Sequence, residues 1–83
     1  MEETWTMVFH WLKRNQEWDI EVPSFLTANE LVYALNEGFG LGIDTTDIDQ
    51  CYLKTTNPVA LLKGKRPLAE YGLRHGTDLW FER

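Results

Sequence analysis

The sequence predicts an α+β domain in which one helix lies across one face of a mixed sheet. Two observations carry that expectation. Only one segment has the periodicity of an amphipathic helix, and it is flanked on both sides by short runs with the alternation of strands. A third observation sets the scale: 83 residues make one domain, 1–83, with a single small core.

From Thr4 to Lys13 the chain is dense in β-branched and aromatic residues and holds no glycine or proline, which favours a strand. Trp5, Met7, Phe9 and Trp11 form one row, and Thr6, Val8, His10 and Leu12 the other. After the polar break Lys13-Arg14-Asn15-Gln16, a second strand from Glu17 to Val22 alternates Trp18, Ile20 and Val22 with Asp19 and Glu21. The pair reads as a hairpin. A turn centred on Asn15-Gln16 pairs Trp11 with Ile20 and Phe9 with Val22, so the odd row of the first strand becomes the core row. A turn one residue longer or shorter exchanges the rows.

Val22 to Gly40 carries the helix. Leu31, Leu35 and Phe39 recur at intervals of four beside Ala28 and Val32, while Asn29, Glu30, Tyr33, Asn36 and Glu37 fall on the other side. Thr27 is a suitable N-cap with Glu30 three residues on, and Leu26 and Leu31 stand where a hydrophobic staple would pair them. Gly38 or Gly40 supplies the stop. Next, Ile43 to Asp49 reads as a loop with one capped turn, and Gln50 to Thr56 as a third strand with Cys51 and Leu53 on one face and Tyr52 and Lys54 on the other. Asn57-Pro58 turns the chain into a short fourth strand, Val59 to Leu62. The basic turn Lys63-Gly64-Lys65-Arg66 follows, then a short helical turn over Pro67 to Gly72, then a last strand from Thr77 to Glu82 with Leu79 and Phe81 opposite Trp80. Setting the first and last strands side by side and parallel lets the long connection carry the helix over the sheet as a crossover. This is the β-grasp arrangement.

Composition narrows the function. Thirteen acidic against eight basic residues give a formal charge of −5, which repels a phosphate backbone, so nucleic acid is not the expected partner. Glu2 and Glu3 stand where a basic leader would be, and no run approaches the length of a membrane span. A cytoplasmic protein with no direct membrane insertion is therefore expected. Its one cysteine, Cys51, has no internal disulfide partner, and the fold must rest on packing.

The closing block Leu68-Ala69-Glu70-Tyr71-Gly72-Leu73-Arg74-His75-Gly76-Thr77-Asp78-Leu79 resembles the ubiquitin-like signature of a short turn ending in tyrosine, an apolar residue, a glycine-bearing turn and a last strand. The resemblance gives Tyr71 a structural role, packing on and bonding to nearby backbone. Trp18-Asp19-Ile20-Glu21-Val22-Pro23-Ser24-Phe25-Leu26, running straight into the helix, is similar to the second strand and helix entry of the small bacterial YukD/EsaB family. That resemblance implies a cytosolic, non-catalytic accessory protein of the type VII (WXG100) secretion system of Gram-positive bacteria, working by contact with other proteins such as membrane components or the ATPase of the system. The ending Trp80-Phe81-Glu82-Arg83 departs from ubiquitin in lacking a Gly-Gly tail, so conjugation is not expected. The competing expectation is a ubiquitin-like, non-catalytic subunit of a multicomponent bacterial enzyme such as a monooxygenase.

Residues able to do chemistry are few. His10 and His75 are far apart in sequence, Cys51 has no cationic neighbour to activate it, and Asp44, Asp47 and Asp49 lack the pattern of a calcium loop. Gly38, Gly40 and Gly42 have neither a preceding strand nor a following helix to cradle phosphate. No catalytic residue, metal or cofactor is expected. With the odd row of the first strand in the core, Val8, His10 and Leu12 point outward beside Trp80, with Tyr52 and Lys54 beyond. These six form the expected protein-binding patch, with Trp80 its anchor. The basic residues Lys63, Lys65, Arg66 and Arg74 form a second candidate surface.

Overall fold

The computed structural model describes residues 3–82. Five strands, β1 (Thr4–Trp11), β2 (Gln16–Pro23), β3 (Tyr52–Thr56), β4 (Ala60–Lys63) and β5 (Asp78–Phe81), form one mixed sheet in the order β2-β1-β5-β3-β4, with α1 (Ala28–Phe39) between β2 and β3 in sequence. β1 and β5 are the expected parallel central pair, and every other pairing is antiparallel.

Local chemistry sets α1 as the sequence indicates. Thr27 Oγ1 accepts from the Glu30 N–H at 3.2 Å, and Glu30 Oε1 accepts from the Thr27 N–H at 2.9 Å. This reciprocal cap contributes about 1 kcal/mol and fixes the first turn. Gly40, in the left-handed region at φ 65°, ends the helix by donating to Asn36 O. The N–H groups of Ala28 and Asn29 donate to Arg66 O and Gly64 O, tying the helix start to the turn after β4. Ala28, Leu31, Val32 and Leu35 are buried against the sheet, and Asn36 reaches past the helix end to hold both the N–H and C=O of Ile43.

The odd row of β1 is the core row: Trp5, Met7, Phe9 and Trp11 are buried under α1 with Val22, Leu53, Leu62, Leu68, Leu79 and Phe81. The hairpin register differs from expectation. Trp5 pairs with Val22, Phe9 with Trp18 and Trp11 with Gln16, because the chain turns over Leu12–Arg14, two residues earlier than a turn centred on Asn15-Gln16. Asn15 makes the early turn possible by adopting φ 50°, ψ 45° and donating its N–H to Leu12 O, a conformation that asparagine tolerates better than most side chains. An even shift preserves which residues share a face, so the rows survive. Leu12 does not: it leaves the strand and lies half-exposed in the turn. β3 also starts later than expected, at Tyr52, because Asp47 caps a short 3-10 turn over Ile48–Gln50.

Tyr71 performs the role that the resemblance implies. From the 3-10 turn Leu68–Tyr71 its hydroxyl donates to Lys63 O at 3.0 Å and faces the Lys63 N–H at 3.5 Å, covering the outer edge of β4 at that residue.

Candidate functional site

The face of the sheet opposite α1 is open, and β-register determines what it displays. Parallel pairing sets His10 beside Trp80, antiparallel pairing sets Lys54 on the other side of Trp80, and Leu61 follows Lys54 on β4. The row His10, Trp80, Lys54, Leu61 thus runs straight across four strands. Its centre is a built platform. The His10 and Trp80 rings stack with centroids 3.9 Å apart and planes 9° from parallel. Each ring is held from its far side: Trp80 Nε1 donates to Thr56 Oγ1 at 2.8 Å, His10 Nε2 lies 2.8 Å from Asp78 Oδ1, and His10 Nδ1 lies 3.5 Å from Glu17 Oε2. Trp80 is therefore half-buried and fixed in orientation.

Beside the platform, toward β4, lies a groove of about 550 Å³ bounded by Trp80, Lys54, Thr56, Val59, Ala60 and Leu61. Val59 is 86% and Leu61 51% exposed, which leaves two aliphatic side chains uncovered next to a flat indole. Combined with the rigid ring pair, this is a surface suited to an apolar side chain of another protein, because no ordering of the aromatic anchor is needed on contact.

Of the expected patch, His10, Trp80 and Lys54 adjoin one another in the cross-strand row. Val8 lies along β1 opposite Asp78, half-buried, and Tyr52 lies at the far end of β3 opposite Lys63. Leu12 is outside the row, in the β1–β2 turn. Val59 and Leu61, absent from the expected patch, border the groove. The run Val59-Ala60-Leu61-Leu62 is apolar throughout, so its own pattern cannot say which residues face out; the Leu53–Leu62 and Lys54–Leu61 pairings decide it.

The remaining candidates resolve into local structure. Lys63 lies 3.7 Å from Asp49, Arg66 sits over the Tyr71 ring and beside Glu70, and Arg74 donates to Asn57 Oδ1, so these three basic residues face separate neighbours, and Lys65 is exposed. The Cys51 thiol is buried and faces Asp47 O and Asp44 O. Asp44 accepts from the side chain and then the backbone of Thr46, which lowers its carboxyl below the ordinary aspartate range; Asp47 caps the turn that follows. His75 Nδ1 accepts from the Thr6 N–H. Among the described residues no group of His, Cys, Asp and Glu side chains is arranged to hold a metal ion. None of their helices is long and apolar enough to cross a membrane.

No protein-family model matches the sequence, and a search of curated proteins finds no match. Solved structures do match in shape. The C-terminal ubiquitin-like domain of mouse tubulin-specific chaperone e aligns with a TM-score of 0.74 at 15% identity over 95% of this chain and 84% of that one. A ubiquitin-like domain from tubulin-binding cofactor B aligns with a TM-score of 0.73 at 18% identity over 96% and 89%. The chain is a ubiquitin-like β-grasp domain; at these identities the likeness establishes the fold alone.

Proposed function

We propose that this domain is a non-catalytic adaptor of a type VII (WXG100) secretion system, of the YukD/EsaB kind, and that it works in the cytoplasm by binding another protein component through the open face of its sheet. One observation carries the reading: the fixed His10–Trp80 ring pair adjoins a groove whose wall exposes Val59 and Leu61. Exposed aliphatic groups beside an oriented tryptophan are what an interface centre requires. The resemblance of residues 18–26 and 68–79 to that family supplies the system.

Capture of partners from the native cytosol on the immobilised domain tests it. Recovery of the FtsK-type ATPase or a WXG100 protein by the wild type, lost with Leu61→Asp, is expected. Leu61 is the preferred variant because it is half-exposed and its replacement leaves the core intact. Trp80→Ala should also abolish capture while lowering stability by about 1 kcal/mol, since the indole stacks on His10 and donates to Thr56. Recovery of hydroxylase subunits instead would transfer the domain to a multicomponent oxygenase, and turnover by the purified domain would refute a non-catalytic role.

A further inference from the structure

The edge strand β2 has a different character from the groove. Gly76 N–H donates to Thr6 O and Val8 N–H donates to Thr77 O, so the even residues of β1 bond toward β5. Its odd residues therefore bond toward β2, in agreement with the Ser24 N–H donating to Glu3 O. In the observed register those odd residues face Gln16, Trp18, Ile20 and Val22. It follows that Glu17, Asp19 and Glu21 direct their N–H and C=O groups away from the sheet, and these groups have no partner among the described residues.

The two sides of this edge differ in chemistry. Glu17, Asp19 and Glu21 lie on the open face and are exposed; no lysine or arginine is paired to any of them, and only Glu17 has a side-chain neighbour that can carry positive charge, His10 at 3.5 Å. On the helix side, Trp18 and Ile20 are only half-buried, and Trp18 packs on Phe39 at the end of α1 with centroids 4.7 Å apart. The core is thus open at the Trp18 and Ile20 stretch of β2, although Val22 nearer its end is buried, as Leu62 of the other edge strand is.

We propose that β2 is a strand-addition site for an extended segment of another protein in which lysine or arginine alternates with aliphatic residues. Added beside β2, such a segment pairs its backbone with Glu17, Asp19 and Glu21. Its basic residues lie on the open face across from the three carboxylates, and its aliphatic residues extend the core over Trp18 and Ile20. Charge complementarity selects this occupant. A second copy joined β2 to β2 would set carboxylates against carboxylates, and an acidic or uncharged strand leaves the ladder uncompensated. The site is separate from the groove and does not rest on the adaptor reading.

The probe is a capped peptide of alternating lysine and valine titrated into the 15N-labelled domain, with a blocked-order peptide of the same composition and a glutamate–valine peptide as controls. The alternating peptide should bind and slow hydrogen exchange at the Glu17, Asp19 and Glu21 amides, leaving those of Trp18 and Ile20, already bonded to β1, little changed. Asp19→Pro removes an edge donor without breaking a β1–β2 bond and should weaken binding about tenfold or more. Asp19→Asn keeps the donor and should weaken it only a few-fold, with a shallower salt dependence. Asp19→Lys, which leaves the backbone able to pair, should abolish binding and serves if the proline variant does not fold. Trp80→Ala should bind the peptide normally. Absence of binding, equal binding of the blocked peptide, or full binding by Asp19→Pro would overturn strand addition and leave the acidic row as protection of an exposed edge against aggregation.

Discussion

The two edges of the sheet are finished in opposite ways. β4 is four residues long, buries Leu62 completely, and has its outward backbone at Lys63 covered by the Tyr71 hydroxyl. β2 is eight residues long, buries Val22 but only half-buries Trp18 and Ile20, and leaves the backbone of Glu17, Asp19 and Glu21 uncovered behind a row of carboxylates. One edge is covered at Lys63 by a side chain from the adjacent turn; the other carries only charge along it. A backbone group already bonded by a side chain is closed to every partner, whereas one guarded by charge excludes some strands and admits others.

The largest effects should separate the edges by burial. Leu62→Ala should lower stability by about 3 kcal/mol, since a fully buried leucine leaves a cavity, while Ile20→Ala should lower it by only about half as much. Chemical denaturation of the two variants measures the difference. Equal losses would mean that β2 packs as tightly as β4, and the contrast in burial would fail.

Effects near 1 kcal/mol should come from the groups that define each edge. Tyr71→Phe removes the bond to Lys63 O and should lower stability by about 1 kcal/mol, with faster hydrogen exchange around Lys63. Asn15→Ala should have a comparable effect through the hairpin, because alanine at φ 50° lacks the local polar compensation of asparagine, and Asn15→Gly should restore the loss. A neutral Asn15→Ala would mean that cross-strand pairing alone fixes the register of β2.

How far these features could be read in sequence depended on how local their causes are. The helix was legible because Thr27 and Glu30 cap it within one turn and Leu31 and Leu35 repeat within it. The core row of β1 was legible because alternation survives the register shift of four residues that moving the turn by two produces. The register was not, since it rests on the left-handed conformation of Asn15, with no glycine to mark it, and Leu12 was misplaced as a result. Tyr71 was found through the ubiquitin-like ending. The contact of His10 with Asp78 spans 68 residues and follows only from the β1–β5 pairing, as does the direction of the free backbone groups on β2. Leu61 and Leu62 have the same side chain and opposite exposures, a distinction made by β3.

The smallest effect concerns the acids on the two sides of the molecule. In the loop leading into β3, Asp44 is fully exposed yet accepts from the Thr46 hydroxyl at 2.6 Å and the Thr46 N–H at 3.0 Å, and these bonds lower its carboxyl below the ordinary aspartate range. Its folded-state affinity for protons is thus weaker than that of the unfolded chain. Whatever stability the bonds supply is present above the unfolded value and is lost as pH falls through the lowered folded value. An NMR titration should place the Asp44 midpoint below that of an unstructured aspartate, and Thr46→Val, which removes the hydroxyl donor, should move it back upward. An ordinary midpoint in the wild type would show that the Thr46 bonds do not hold this carboxylate in solution. The contrast between Asp44, bonded to its neighbour's hydroxyl, and Asp19 and Glu21 of β2, exposed and without an ion-pair partner among the described residues, would then fail.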